Sequence, residues 1–362
     1  MKILYVSKLE GHNWKGPSHS VPMQIKYQAE IDDVCWLNLC PSSNEEWKTH
    51  KYYHEAEKGM KTGLADVPDG FSVPDLVVFE GVYEYPFAKI VYDVWTKKIP
   101  YVIVPRSALT KSAQKKRAIK KRLGNLAFFN RFIGKAAAIQ YLTMDEQEES
   151  AYWKTTSFVV PNGMEPKENI KTSFSEKGKL IFTYVGRLER YQKGLDILVE
   201  ACVHFAAELR AAGAEIHLYG PDREGAVEVL NTEIQKCGVT DILFLHGAVF
   251  GEEKEKILLA SDVFLMTSRF EGLPMGLIEA LAYGLPAMVT EGTNLTDAIE
   301  CADAGWTAGN SVEGVVSLLR RAIAERGKYQ GKSANAHALS KQYNWESIAE
   351  KTHAEYEKLT EK

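Results

Sequence analysis

Eleven short apolar runs recur along the chain with helix-length segments between them, and this alternation constrains the fold more than any other feature. In the first half they occupy residues 3–6, 34–37, 76–79, 101–104, 137–141 and 158–160; in the second, 180–185, 216–219, 242–245, 263–267 and 287–290. Strands that alternate with helices imply parallel sheets with helices on both faces. A chain of 362 residues is too long for one small core and suits two domains of ordinary size. Ligands bind such sheets at the carboxyl ends of the strands, so each domain is expected to turn those ends toward a shared cleft. No G-x-G-x-x-G follows the first run, which counts against a dinucleotide oxidoreductase.

Composition narrows the class further. Hydrophobic residues make up 45% and charged residues 25%, as in a globular protein. No window approaches 18 uninterrupted apolar residues, and the start, Met1-Lys2-Ile3-Leu4-Tyr5-Val6-Ser7-Lys8, is charged too soon for a signal peptide. The five cysteines (Cys35, Cys40, Cys202, Cys237, Cys301) are scattered and form no C-x-x-C, so we expect reduced, mostly core residues of a cytosolic protein. The net charge of −4 argues against nucleic-acid binding. It is unevenly placed: up to Glu165 the chain holds 22 basic and 19 acidic residues, and beyond it 22 and 29.

Two loops in the second half carry the chemistry. The stretch Ser268-Arg269-Phe270-Glu271-Gly272-Leu273-Pro274-Met275-Gly276-Leu277-Ile278-Glu279-Ala280 follows a strand candidate and opens a helix, with Pro274 suited to the first helical turn and Gly284 at its stop. A helix N-terminus offers free N–H groups and the positive end of its dipole, which suits a phosphate. Glu271 would sit on the loop and Glu279 on the first or second turn, where a carboxylate accepts hydrogen bonds from sugar hydroxyls; taken alone, both also read as surface charges. Upstream, Gly186-Arg187-Leu188-Glu189-Arg190-Tyr191-Gln192-Lys193-Gly194 again lies between a strand candidate and a helix, whose buried face is marked by Leu195, Leu198, Val199 and Cys202. Arg187 and Lys193 are two cations able to converge on a diphosphate, one as a fork and one as a point charge. The alternative is a solvated basic loop.

Together these residues resemble the retaining glycosyltransferases of family 4, whose fold is GT-B, two Rossmann-like doubly wound domains. The Glu271…Glu279 pair matches the family's E-x7-E motif, and Gly186-Arg187…Lys193-Gly194 looks like its diphosphate-binding Arg and Lys. Val160-Pro161-Asn162-Gly163 resembles the segment leading into the second domain, and Tyr343-Asn344-Trp345-Glu346 its closing helix. The resemblance covers nearly the whole chain. It implies an acceptor-binding domain over 1–163, a nucleotide-sugar donor domain over 178–344, and a C-terminal helix from about 345 that packs back on the first. It also implies the site. Arg187, Lys193 and the backbone near Gly272, Leu273, Pro274 and Met275 would hold the departing diphosphate. Glu271 would hold the donor sugar, Glu279 the ribose, and Asn162 would join the substrate-binding set. The polar stretch 164–178 is expected to be the interdomain linker, and the nucleotide base to lie near His246-Gly247-Ala248.

In the first half, Gly11-His12-Asn13-Trp14-Lys15-Gly16-Pro17-Ser18-His19-Ser20 follows the first run, with a helix expected from near Val21. The family often has a glycine-rich phosphate loop here. Gly16 matches it, although Pro17 stands where many relatives have a second glycine, and His19 would line the acceptor side. The other reading is a helix capped by Ser18 or Ser20. Glu80 and Glu84 follow the third run and would reach an acceptor hydroxyl, or else are surface acids. Arg106 follows the fourth, at a position where many family members place a His near the donor sugar.

Between Pro105 and Met144 there is no acidic residue, while Lys111, Lys115, Lys116, Arg117, Lys120, Lys121, Arg122, Arg131 and Lys135 are basic, with Leu123, Leu126, Phe128, Phe129, Phe132 and Ile133 interleaved. Such a segment fits an anionic membrane surface, or a solvated helix face over core aromatics. No metal-ligand spacing is present, and no cofactor is expected. The sequence therefore points to a retaining GT-B glycosyltransferase that carries a sugar from a nucleoside-diphosphate donor to a saccharide or lipid-linked hydroxyl acceptor in envelope or exopolysaccharide assembly. It would be cytoplasmic, peripheral at the inner face of the membrane, and without a nucleic-acid partner. Two rivals stay open. An epimerase on the same fold would isomerise a donor without acceptor; a non-catalytic module would bind nucleotide sugars without turnover.

Overall fold

The computed structural model describes residues 1–11, 16–115, 118–174 and 178–361. The chain forms two compact units, one of Met1–Gly163 with Asn344–Lys362, the other of Met164–Tyr343.

The first unit is built on seven parallel strands: β1 (Lys2–Ser7), β2 (Asp33–Asn38), β3 (Tyr53–Glu55), β4 (Leu76–Glu80), β5 (Tyr101–Val104), β6 (Ala138–Tyr141) and β7 (Ser157–Val159). Their order is β3-β2-β1-β4-β5-β6-β7. β4 and β5 are buried along their whole length, as strands covered on both faces must be. Successive side chains point to opposite faces, so Leu4, Val6 and Phe79 join one core with Phe132 while Ile3, Tyr5 and Val78 join another with Trp36 and Tyr356. The helix Trp345–Thr360 completes this unit. Asn344 caps it by accepting from the Ser347 amide at 2.8 Å. Trp345 stacks on Tyr27, the Tyr356 hydroxyl donates to Gln140 at 2.7 Å, and His353 Nδ1 lies 3.0 Å from buried Asp32.

The second unit holds β8 (Leu180–Val185), β9 (Ala214–Tyr219), β10 (Leu243–His246), β11 (Val263–Met266), β12 (Ala287–Thr290) and β13 (Gly305–Ala308), all parallel in the order β10-β9-β8-β11-β12-β13. Its core gathers Phe182, Leu198, Leu218, Phe264, Leu281 and Trp306.

Several expectations change. β3 and β13 were not legible as apolar runs; both are edge strands, where one neighbour suffices and polar or small residues are tolerated. The first helix begins at Gly16 rather than near Val21, so Ser18 and Ser20 lie inside it and not at its N-cap. The stretch expected to be a linker is packed against the second unit: the Lys171 amide donates to Tyr283 at 2.8 Å, and Phe174 sits on its core. Residues 175–177 of that stretch lie outside the described residues. Cys35 and Cys202 are buried as expected, whereas Cys237 and Cys301 are exposed. Among the described residues no helix is long and apolar enough to cross a membrane.

Candidate functional site

In the second sheet the strand order reverses between β8 and β11, which are hydrogen-bonded neighbours. Beyond the carboxyl ends of strands at such a reversal, adjacent loops part and leave room for a ligand. The two loops that meet there are those singled out in the sequence. Two glycines let them close up. Gly194 has φ +60° and a Cβ on it would meet the Thr267 carbonyl at 2.0 Å; a Cβ on Gly276 would meet the Val185 carbonyl at 2.7 Å. Thr267 Oγ1 donates to the Lys193 and Gly194 carbonyls at 3.0 and 3.1 Å, closing the same seam.

Lys193 and Glu271 are brought together. Lys193 Nζ donates to Glu271 Oε1 at 2.5 Å, the Ser268 hydroxyl donates to the same oxygen at 2.5 Å, and both charged side chains are buried. The loop that carries Glu271 is fixed from three sides. Arg269 grips Asp196 with both terminal nitrogens at 2.7 and 2.9 Å, the Asn294 amide donates to the Glu271 carbonyl, and Thr290 donates to the Ser268 carbonyl at 2.9 Å. Glu189 is consumed locally, accepting from the Tyr191 and Gln192 amides at 3.1 and 2.6 Å. Arg187 is exposed, its guanidinium in no hydrogen bond or ion pair among the described residues, while its carbonyl accepts from Tyr184 at 2.9 Å. Ser268, Arg269 and Asn294 were not assigned roles from sequence; Ser268 and Arg269 sit inside the motif, and Asn294 carries no sequence signal.

The helix after this loop runs Met275–Ala282, so Pro274 stands at its N-cap rather than in its first turn. Gly272 and Leu273 are half-buried and Met275 is 38% exposed. The Met275 amide donates to the Leu273 carbonyl at 2.9 Å and is therefore already taken. Glu279, one turn on, is held by Lys254 at 2.7 Å and Lys167 at 3.3 Å, neither of which was expected near it. At the end of β10, His246 Nε2 lies 3.0 Å from His217 Nδ1 and its ring stacks on Tyr219 at 4.3 Å. Burial and then the neighbouring His217 push the His246 imidazole down, which favours its neutral form.

In the first unit the strand order reverses between β1 and β4. A cavity of about 340 Å³ opens beyond their carboxyl ends, lined by Lys8, Leu9, Glu10, Ser18, Cys40, Tyr83, Glu84 and Pro86. Buried Ser18 Oγ and Asn162 Oδ1 have no hydrogen-bond partner among the described residues. Glu84 is exposed at this cavity, whereas Glu80 is buried and turned away into an ion pair with Arg106 at 2.8 Å. Glu80 is therefore neither a surface acid nor part of the cavity lining. Arg106 Nε also donates to Glu80, one terminal nitrogen donates to Ser20 at 2.9 Å and the other to Gln24 at 3.4 Å, so its charge is spent inside the unit. Burial pushes the Glu80 carboxyl up, and Arg106 opposes it. Arg106 and Ser107 both have left-handed backbones, φ 49° and 67°, a strained pair held at the end of β5. His19 is exposed on the first helix and Gly16 is that helix's first residue; His12, Asn13, Trp14 and Lys15 lie outside the described residues.

The basic segment forms helices Lys111–Lys115, Ala118–Gly124 and Asn130–Gly134, with a π-helical turn at Asn125–Phe129; Lys116 and Arg117 lie outside the described residues. Phe128, Phe129, Phe132 and Ile133, expected to interleave with the charges, face the core. Ile119, Leu123 and Leu126 point outward instead, 80, 65 and 80% exposed, at helical spacing beside exposed Lys120 and Arg122. Among the described residues no cluster of three or more His, Cys, Asp or Glu is placed to hold a metal ion.

Comparison with known proteins fits this geometry. The chain is 30% identical over 192 residues to a glycogen synthase of Francisella tularensis subsp. mediasiatica (strain FSC147), a match covering 50% of this chain and 38% of that protein. It thus spans little more than a third of the length of that relative. Its fold is similar to that of Anabaena Alr3699/HepE in complex with UDP and glucose, with a TM-score of 0.64 at 15% identity over 99% of this chain and 100% of that one. It is similar also to the lipopolysaccharide outer core galactosyltransferase WaaB, with a TM-score of 0.61 at 15% identity over 96% of this chain and 98% of that one. The architecture is GT-B. The model of the family described as glycosyl transferases group 1 matches residues 166–351, more than half the chain and inclusive of both loops of the second unit; the chain belongs to that family.

Proposed function

We propose that this chain is a retaining glycosyltransferase of family 4 that transfers a sugar from a nucleoside-diphosphate donor to a hydroxyl of a saccharide or lipid-linked acceptor. The observation that carries the reading is the buried Glu271 carboxylate, braced by Lys193 and Ser268 beside the exposed, unengaged Arg187 at the β8/β11 reversal. Arg187 and Lys193 neutralise the diphosphate as it leaves, together with the N-terminus of the helix Met275–Ala282 and the amides of Gly272 and Leu273. When Lys193 turns to phosphate, Glu271 is released to accept from donor-sugar hydroxyls, and Glu279 takes the ribose. The bond from the anomeric carbon to the phosphate oxygen breaks and one to the acceptor oxygen forms on the same face. The leaving phosphate oxygen takes the acceptor proton, so no metal and no separate base enter the step.

UDP, bound in the Anabaena structure, is the first donor nucleotide to test. The first unit takes the acceptor at the cavity lined by Ser18, Tyr83 and Glu84, with Asn162, His19 and Gly16 on the same unit; Arg106 positions rather than touches it. The exposed Ile119, Leu123 and Leu126 among Lys111, Lys120, Arg122, Arg131 and Lys135 dock this unit on an anionic membrane, apolar side chains entering the interface and cations meeting headgroups. The setting is envelope or exopolysaccharide assembly at the inner face of the membrane, supported by the fold shared with WaaB. A thermal-shift screen of UDP, GDP, ADP and their sugars tests the donor site, because ligand binding raises stability by mass action. Proton NMR of the product linkage then tests stereochemistry. An inverted linkage would remove the retaining mechanism, and donor isomerisation without acceptor would favour an epimerase.

A further inference from the structure

We propose that Lys254 and Lys167 are positioning residues that hold the Glu279 carboxylate as a receptor for a vicinal diol. They thereby make this chain select ribonucleotide over 2′-deoxyribonucleotide donors. The inference rests on the donor reading of the second unit. Lys254 Nζ donates to Glu279 Oε2 at 2.7 Å, and Lys167 Nζ lies 3.3 Å from Glu279 Oε1. The three side chains come from separate segments: Lys254 from the helix Gly251–Ala260, Glu279 from the helix Met275–Ala282, and Lys167 from the stretch preceding β8. They are only 17–23% exposed. Lys167 is fixed from a second direction, its ammonium 5.1 Å from the centre of the Tyr283 ring, one turn beyond Glu279.

A carboxylate has two acceptor directions on each oxygen. With one lysine on each oxygen, each oxygen keeps capacity for a further donor, enough for two hydroxyls, one on each. The joint charge of the two lysines discourages a cationic ligand. Position supports a ribose as the diol. Glu279 lies four residues along the helix from Met275, roughly 6 Å at the usual rise, and the ribose of a nucleoside diphosphate follows its phosphates at about that spacing. A site built to accept from a hydroxyl is left with an unmet acceptor when the hydroxyl is missing, which is how polar sites reject the lesser analogue.

The test is calorimetric titration of wild type, K254M, K254R, K167M and E279Q. The titrants are whichever of UDP, GDP or ADP binds wild type most tightly and its 2′-deoxy counterpart, with ligand-free melting recorded for each variant. Wild type should prefer the ribonucleotide by about tenfold, the worth of one good hydrogen bond. K254M and E279Q should bring the two within about threefold of each other, and K254R should keep the preference. Merely structural lysines would lower melting without moving the ribo-to-deoxy ratio. Loss of the preference in E279Q with its retention in both K254M and K167M would overturn the inference and leave the donor reading standing. Binding of none of the three nucleotides would overturn the donor reading, and the inference with it.

Discussion

Lys193→Met is the most informative perturbation, because the structure gives it two separable effects. Glu271 is 7% exposed, and the substitution leaves its carboxylate with the Ser268 hydroxyl but without the ammonium at 2.5 Å. Breaking one side of a buried ion pair costs about 3–5 kcal/mol, since the remaining charge is uncompensated. For a domain of this size that lowers the melting temperature by roughly 6–20 °C. Adding Glu271→Gln removes the stranded charge and should recover most of the loss, so the double-mutant cycle should show strong coupling. Turnover behaves differently. Loss of one preorganised donor to the leaving group raises the barrier by about 2–4 kcal/mol, roughly 30- to 1,000-fold in rate, and the second substitution cannot restore it. Arg187→Ala is the internal contrast: its side chain is exposed and unengaged, so stability should change by no more than about 0.5 kcal/mol while turnover falls as far. Thermal melting with and without donor, paired with donor turnover, reads both effects. Additive destabilisation in the Lys193/Glu271 cycle, or near-wild-type turnover in either cation variant, would refute the reasoning.

Gly194→Ala should cost more than the ~1–2 kcal/mol of a left-handed alanine, because its Cβ also meets the Thr267 carbonyl at 2.0 Å; a melting temperature equal to wild type would show that the seam can yield. Burial pushes the Asp32 carboxyl up, but hydrogen bonds from the Met1 amino group, His353 and Gln28 outweigh it and hold Asp32 below the ordinary carboxylate value. Its stabilisation is therefore complete above the unfolded value of about 3.9 and is lost as pH falls through the lower folded one. The melting difference between wild type and Asp32→Asn should shrink as pH falls below about 4; a difference that does not shrink there would count against this assignment. Replacing Ile119, Leu123 and Leu126 with Ser should release the protein from anionic vesicles, whereas Lys120→Glu with Arg122→Glu should weaken binding most at low salt, where charges are least screened. Wild-type protein that ignores anionic vesicles at low salt would refute the membrane reading.

Much of the architecture was legible without coordinates. Parallel strands buried on both faces need continuous apolar runs, and β4, β5 and β11 supply them. The edge strands β3 and β13 need no such run, since one face and one neighbour satisfy them. Glu271, Lys193 and Arg187 were also legible, because a strand–loop–helix pattern fixes where each stands along the chain. Partnership was not. That Lys193 holds Glu271, that Glu80 turns inward to Arg106, and that Lys254 and Lys167 grip Glu279 depends on side chains 78, 26, 25 and 112 positions apart. The same limit applies to the basic segment, where composition could not say which apolar residues face out; helix rotation against the core buries Phe128, Phe129 and Phe132 and leaves Ile119, Leu123 and Leu126 in water. Local sequence sets period and backbone options, and so determines elements and the loops that carry function. Which charges meet is decided only when the sheet brings distant loops to one end, because burial and Coulomb attraction act through space and not along the chain.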